Sequence, residues 1–111
     1  MNATNYIGGV IKILETPKQK ILKNNIVVTK FRAQLPQFRT TRMVYLTFWG
    51  NLARDVLNHY NVNDYILIEG YLSLRDKKTS SLTSSKSKKI EITVLKVYPF
   101  LLSSDHLVDK G

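Results

Sequence analysis

Five short runs of alternating residues are broken once, after the third, by a segment with another period. No other feature of the chain limits its fold as tightly. Residues 6–14 (YIGGVIKIL), 26–33 (IVVTKFRA), 42–49 (RMVYLTFW), 65–75 (YILIEGYLSLR) and 90–97 (IEITVLKV) each read as a strand. In the third run Val44, Leu46 and Phe48 share one parity, and Met43, Tyr45, Thr47 and Trp49 share the other. The mixed set is expected to face solvent. In NLARDVLNHY, Leu52, Val56, Leu57 and Tyr60 recur at helical spacing, so a helix is expected, with Asn51 as its cap and Leu57 facing the core. Asn63 follows where a left-handed residue is often wanted. Gly70 interrupts the fourth strand as a bulge or bend. ETPKQK (residues 15–20) reads as a turn, because Pro17 lacks a ladder donor.

Three strands, a helix and two strands describe an all-β fold. It is the five-stranded OB-fold Greek-key barrel with one α-helix between strands 3 and 4, whose open face commonly takes oligonucleotides. An SH3-like barrel would also be all-β but would not need the helix. The 111 residues suffice for one domain and not two. The expected division is 1–98 for the barrel and 99–111 for a short tail.

Charge narrows the partners. The chain carries 17 Lys and Arg against 8 Asp and Glu, a net +9. A polyanion, a membrane surface or mere solubility could account for that. No basic amphipathic helix with a broad apolar face supports the membrane option, and no apolar run is long enough to span a bilayer. The start of the chain has no secretory pattern, so the expected location is the cytoplasm or nucleoid, or an organelle interior such as a plastid. Abundant Lys, Asn and Ile would also suit an AT-rich genome. There is no cysteine, and neither His59 nor His106 has a partner at metal-ligand spacing. No nucleophile–base set and no phosphate-cradling glycine loop with Lys appears, so no cofactor, metal or catalysis is expected.

The stretch FWGNLARDVLNHYNVNDYILIEGYLSLR resembles the bacterial-type single-stranded DNA-binding proteins, the SSB family. That family shows an aromatic and Gly, a KLAE-like helix start, YLKKG, a short apolar strand, then EG and a terminal Arg. The matching elements are Trp49-Gly50, NLARDVLNHY, NVND, ILIEG and LSLR; MN…YIGGV and VTKFRAQ are similar to its first two strands. The resemblance covers about residues 1–97 and is specific over 48–75. It implies an OB-fold, a homo-oligomer (dimer or tetramer) and sequence-tolerant binding of single strands. The chain departs from the pattern at Met43, where the family often has Trp, and at Lys77, where an aromatic often follows. It also lacks the Gly/Pro/Gln linker and acidic tip, ending in DHLVDKG. Fewer rings imply weaker binding, and no partner recruitment through an acidic tip is expected.

Bases offer π-faces to exposed rings, and phosphates need cations. The resemblance places Trp49 at the family's stacking aromatic. The alternative is an indole closing one end of the barrel against the helix. Tyr45, Tyr71 and the loop residue Phe38 are further candidates for stacking; Tyr is also an ordinary strand residue. Lys30, Arg32, Arg39, Arg42 and Arg75 would follow phosphates. Lys77, Lys78, Lys86, Lys88 and Lys89 border a Ser/Lys-rich loop that could wrap a ligand or serve as a soluble connector. Glu69 would repel phosphate and reads as structural, paired with a Lys or Arg. Two other functions stay open: an RNA-binding OB-fold, and a primosomal-type protein-interaction module.

Overall fold

The computed structural model describes residues 5–36, 41–76 and 88–103. Strand β1 (Asn5–Ile13) is followed by β2 (Lys18–Ile21), β3 (Val27–Pro36) and β4 (Thr41–Trp49). Helix α1 (Asn51–His59), β5 (Tyr65–Asp76) and β6 (Lys88–Leu101) complete the order. The strands lie in the sequence β1-β5-β6-β4-β3-β2, and β1 also pairs with β3 through Lys12 and Ile13. Five strands therefore close into a barrel, and β2 lies outside it as an edge. All pairings are antiparallel except β4 with β6. This is the OB-fold, with its helix between the strands expected to flank it.

Alternation explains the closure. Ile11, Ile13, Phe31, Ala33, Val44, Leu46, Phe48, Ile66, Ile68, Ile92 and Val94 are buried in one cluster. Each comes from the aliphatic parity of its strand, so one pleat face of every strand turns inward. Phe31 and Phe48 stack with ring centroids 5.4 Å apart. Helix α1 closes one end with Ala53, Val56 and Tyr60. Leu57 is only half-buried, contrary to the expectation that it faces the core. The contact stripe is centred on positions 53, 56 and 60, and the next residue after Val56 is rotated about 100° away from it. Asn51 is not the cap either. Gly50 is, at φ 64°, a conformation that glycine reaches at little cost. Thr29 Oγ1 donates to the Ala53 carbonyl oxygen at 2.9 Å and ties the helix to β3.

Residues 15–20 hold more than a turn. Pro17 stands just before β2, where its missing N–H removes no ladder bond. The last strand also runs further than residues 90–97, to Leu101. The β5–β6 register shifts at Glu69/Gly70, the bulge expected there. A Cβ at Gly70 would collide with the Thr93 carbonyl oxygen, so only glycine fits that crossing. Asn63 is left-handed, at φ 76°. Beside it, buried Asp64 accepts from the backbone N–H groups of Asn61 and Ser103, both at 2.8 Å, and from Ser103 Oγ at 2.9 Å. The end of β6 is thereby pinned to the α1–β5 loop.

Candidate nucleic-acid interface

The register of β2, β3 and β4 builds one side of the barrel's outer wall. Lys20, Val28 and Trp49 form one cross-strand row. Lys18, Lys30 and Thr47 form the next, and Arg32 with Tyr45 the one after. Side chains in such rows point the same way. Trp49 is 45% exposed, whereas its neighbour Phe48 is fully buried. The indole therefore does not close the barrel end; half of it is offered to solvent. Lys30, Arg32, Arg42 and Met43 are exposed, and Tyr45 is half-buried.

Thr47 departs from the expectation for this face, being buried. The parallel pairing of residues 45–47 with 91–93 sets β6 alongside, and Thr47 Oγ1 donates to Glu91 Oε2 at 2.9 Å. This buried pair forms a polar seam between β4 and β6.

Two of the expected cations are already engaged. Lys89 Nζ lies 4.4 Å from the Tyr45 ring centroid, so a cation covers one face of that ring. Glu15 accepts from the Arg32 backbone N–H at 2.7 Å and from Arg32 Nε at 3.2 Å. Partial burial alone would raise the Glu15 carboxyl, but these bonds and the Arg32 charge outweigh it and hold the group below the usual range. Arg32 is thus a positioned, half-neutralised cation.

Tyr71 is not brought to Trp49. It is exposed on β5, two strands from β4, and its ring meets Tyr6 edge-on at 5.2 Å. Glu69, expected to pair with a Lys or Arg, instead accepts from the Tyr6 hydroxyl at 2.6 Å. That bond chiefly pushes the Tyr6 hydroxyl up to about 12. Arg75 and Lys88 are placed only by register, opposite Lys89 and Asp76. Phe38, Arg39, Lys77, Lys78 and Lys86 lie outside the described residues.

Sequence reasoning missed Lys18 and Lys20. All four residues of β2 are exposed, so no burial pattern marks the strand. A signal was present in ILKNNIVV: two apolar runs around a Lys-Asn-Asn turn, with both asparagines left-handed in the structure. These lysines join Lys30, Trp49, Leu22 and Val28 around a groove of about 450 Å³.

No protein-family model matches the chain. It is 42% identical over 107 residues to a protein of Trieres chinensis named "Putative single-stranded DNA-binding protein ycf41", covering 93% of this chain and 95% of that one. The chain belongs to the single-stranded DNA-binding protein family. Solved structures share the fold of this SSB-family chain. The SSB domain of a Synechococcus protein superposes with a TM-score of 0.68 at 20% identity, over 88% of this chain and 98% of that one. The small single-stranded DNA-binding protein of Streptomyces coelicolor gives 0.69 at 18%, over 91% and 97%. The second SSB of Mycobacterium smegmatis gives 0.64 at 22%, over 87% and 89%. Among the described residues of this family member, no group of three or more His, Cys, Asp or Glu could hold a metal ion. No helix among them is long and apolar enough to cross a membrane.

Proposed function

We propose that this chain binds single-stranded DNA without catalysis, in replication, repair or protection of exposed strands. Bases stack on Trp49, and lysines and arginines of the β2–β3–β4 side hold the phosphates. The observation that carries this reading is the half-exposed indole in a cross-strand row with Lys20, one row from Lys18 and Lys30 and next to a phenylalanine of the core. Family membership and the name of the Trieres chinensis relative support it. A ring platform tolerates any base, because every base has a π-face, and cations add affinity regardless of sequence. Arg42, Arg75, Lys88 and Lys89 extend the cationic track, with Tyr45 as a secondary ring beneath Lys89. The residues outside the described set, Phe38, Arg39, Lys77, Lys78 and Lys86, belong to the same proposal on sequence grounds.

The opposite side of the wall supports a homo-oligomer. Tyr6, Leu67, Tyr71, Leu95 and Tyr98 are exposed there on β1, β5 and β6. Aromatic clusters of this kind are enriched at protein contacts. The Lys-, Asn- and Ile-rich composition is that of an AT-rich genome such as an organelle's, which supports an organelle interior such as a plastid.

Titrating the protein with labelled oligo-dT, oligo-rU and duplex DNA tests the reading. Quenching of the Trp49 fluorescence by oligo-dT, with duplex far weaker, is expected. Tighter binding of oligo-rU would make the chain an RNA binder, and no quenching by any of the three would favour the interaction module.

A further inference from the structure

Lys18 and Lys30 stand directly opposite each other on β2 and β3. Like charges in that position repel. Lys20 is on the same strand and face, one row closer to Trp49. Among the described residues none of the three is ion-paired or hydrogen-bonded through its side chain. Lys18 helps hold down the Glu15 carboxyl, but both oxygens of Glu15 are committed to Arg32. Three cations thus line one groove with no carboxylate bonded to any of them, Glu15 acting on Lys18 only from a distance, and the exposed indole lines the same groove. Val28 and Leu22 supply an apolar floor, and about 450 Å³ has room for a nucleotide. A molecule that places a flat apolar ring beside Trp49 and a negative charge beside the lysines satisfies every wall of this site.

We infer that β2 is an anion-binding edge. Lys18, Lys20 and Lys30 seat the phosphodiester next to the base stacked on Trp49, so that the bound strand crosses β4, β3 and β2 and leaves over this edge. The inference rests on the single-strand reading and assigns it a path. The ligand class is a phosphodiester carrying an unpaired base. A phosphate between Lys18 and Lys30 also relieves their repulsion, which gives the edge a reason to keep lysines opposite each other. The same lysines protect the open edge of β2 from pairing with another strand while it is unoccupied.

The test compares two charge-matched double variants, each losing two positive charges. Lys18→Gln/Lys20→Gln removes two of the three seat cations. Lys12→Gln/Lys96→Gln removes two from β1 and β6, away from the groove. All four side chains are at the barrel surface rather than in its core, and circular dichroism checks each fold. Affinity for oligo-dT is then measured across a salt series by Trp49 fluorescence. Each phosphate contact contributes about 0.7 to the magnitude of the salt slope for single strands. The seat predicts a slope lower by about 1.4 for Lys18→Gln/Lys20→Gln, an unchanged slope for the other pair, and Trp49 quenching retained in both. An unchanged slope in the first pair, or an equal fall in both, overturns the seat while oligo-dT binding by the parent still stands. A parent whose Trp49 is not quenched by oligo-dT overturns the single-strand reading itself and the seat with it.

Discussion

Two sides of the same barrel wall expose aromatic rings, and they surround those rings differently. On the β2–β3–β4 side, Trp49 shares its row with Lys20; Lys18 and Lys30 stand in the next row, and none of the three lysines has an ion pair or side-chain hydrogen bond among the described residues. On the β1–β5–β6 side, Tyr6 and Tyr71 pack against each other, and Glu69 takes the Tyr6 hydroxyl. The first arrangement leaves a π-face and excess positive charge. The second commits Glu69 and the edge of the Tyr6–Tyr71 pair to each other and leaves a surface rich in exposed apolar side chains. An exposed aromatic alone does not identify a ligand; the company it keeps does. Between the two sides the buried Thr47–Glu91 seam keeps the row from Tyr6 through Tyr71 and Thr93 to Lys30 from being one continuous surface.

The contrast between inward and outward rings can be tested most strongly at neighbouring positions. Phe48→Ala should cost about 3–5 kcal/mol of stability, read by chemical denaturation, because it empties a site inside a closed core. Trp49→Ala should cost far less. If the two losses are similar, Trp49 belongs to the core and not to the binding face.

Affinity separates the two exposed sides. Trp49→Ala should weaken oligo-dT binding by roughly 1–3 kcal/mol, the value of one stacked base. Tyr71→Ala should leave it close to the parent's, since that ring is committed to Tyr6. Fluorescence anisotropy with labelled dT decides both, and an equal loss in the two variants would merge the two surfaces into one. A subtler effect concerns the far end of the cationic track. Lys86→Gln/Lys88→Gln/Lys89→Gln should lower the salt slope by up to about 2, with equal weakening for every base sequence. A parent-like slope confines phosphate binding to the strands.

The smallest effect sharpens the picture of the Tyr6 side. Tyr6 is held protonated by Glu69, with its folded value raised to about 12. A raised value stabilises the fold below the ordinary tyrosine value of about 10, and the gain disappears as pH climbs through the folded value. Tyr6 is solvent-exposed, so the effect on stability is slight. In a high-pH absorbance or NMR titration, Glu69→Gln should return Tyr6 towards about 10. No movement would mean that the Tyr6–Glu69 bond is not formed in solution.

The barrel was legible in the chain because burial imposes a period. Val44, Leu46 and Phe48 alternate with Met43, Tyr45 and Trp49, and a strand with one buried face can satisfy that pattern in one register only. The helix was legible for the same reason, from its change of period, and the bulge because Gly70 alone allows the backbone to pass Thr93. Local sequence also determined the left-handed Asn63 and the excess of positive charge. Where burial imposes no pattern, the chain was silent. β2 is exposed at every position, so only pairing with β3 makes it a strand and sets Lys18 opposite Lys30. The inward residue of the helix turned on a rotation of one position, which packing against the barrel decided in favour of Val56 over Leu57. Thr47 was drawn inside by a strand more than forty residues away in sequence, and Glu69 found a tyrosine rather than a cation because β1 pairs with β5 at that register. Periodicity reports which face of an element is buried. Which residues meet across elements depends on register and closure, and those exist only once the barrel has formed.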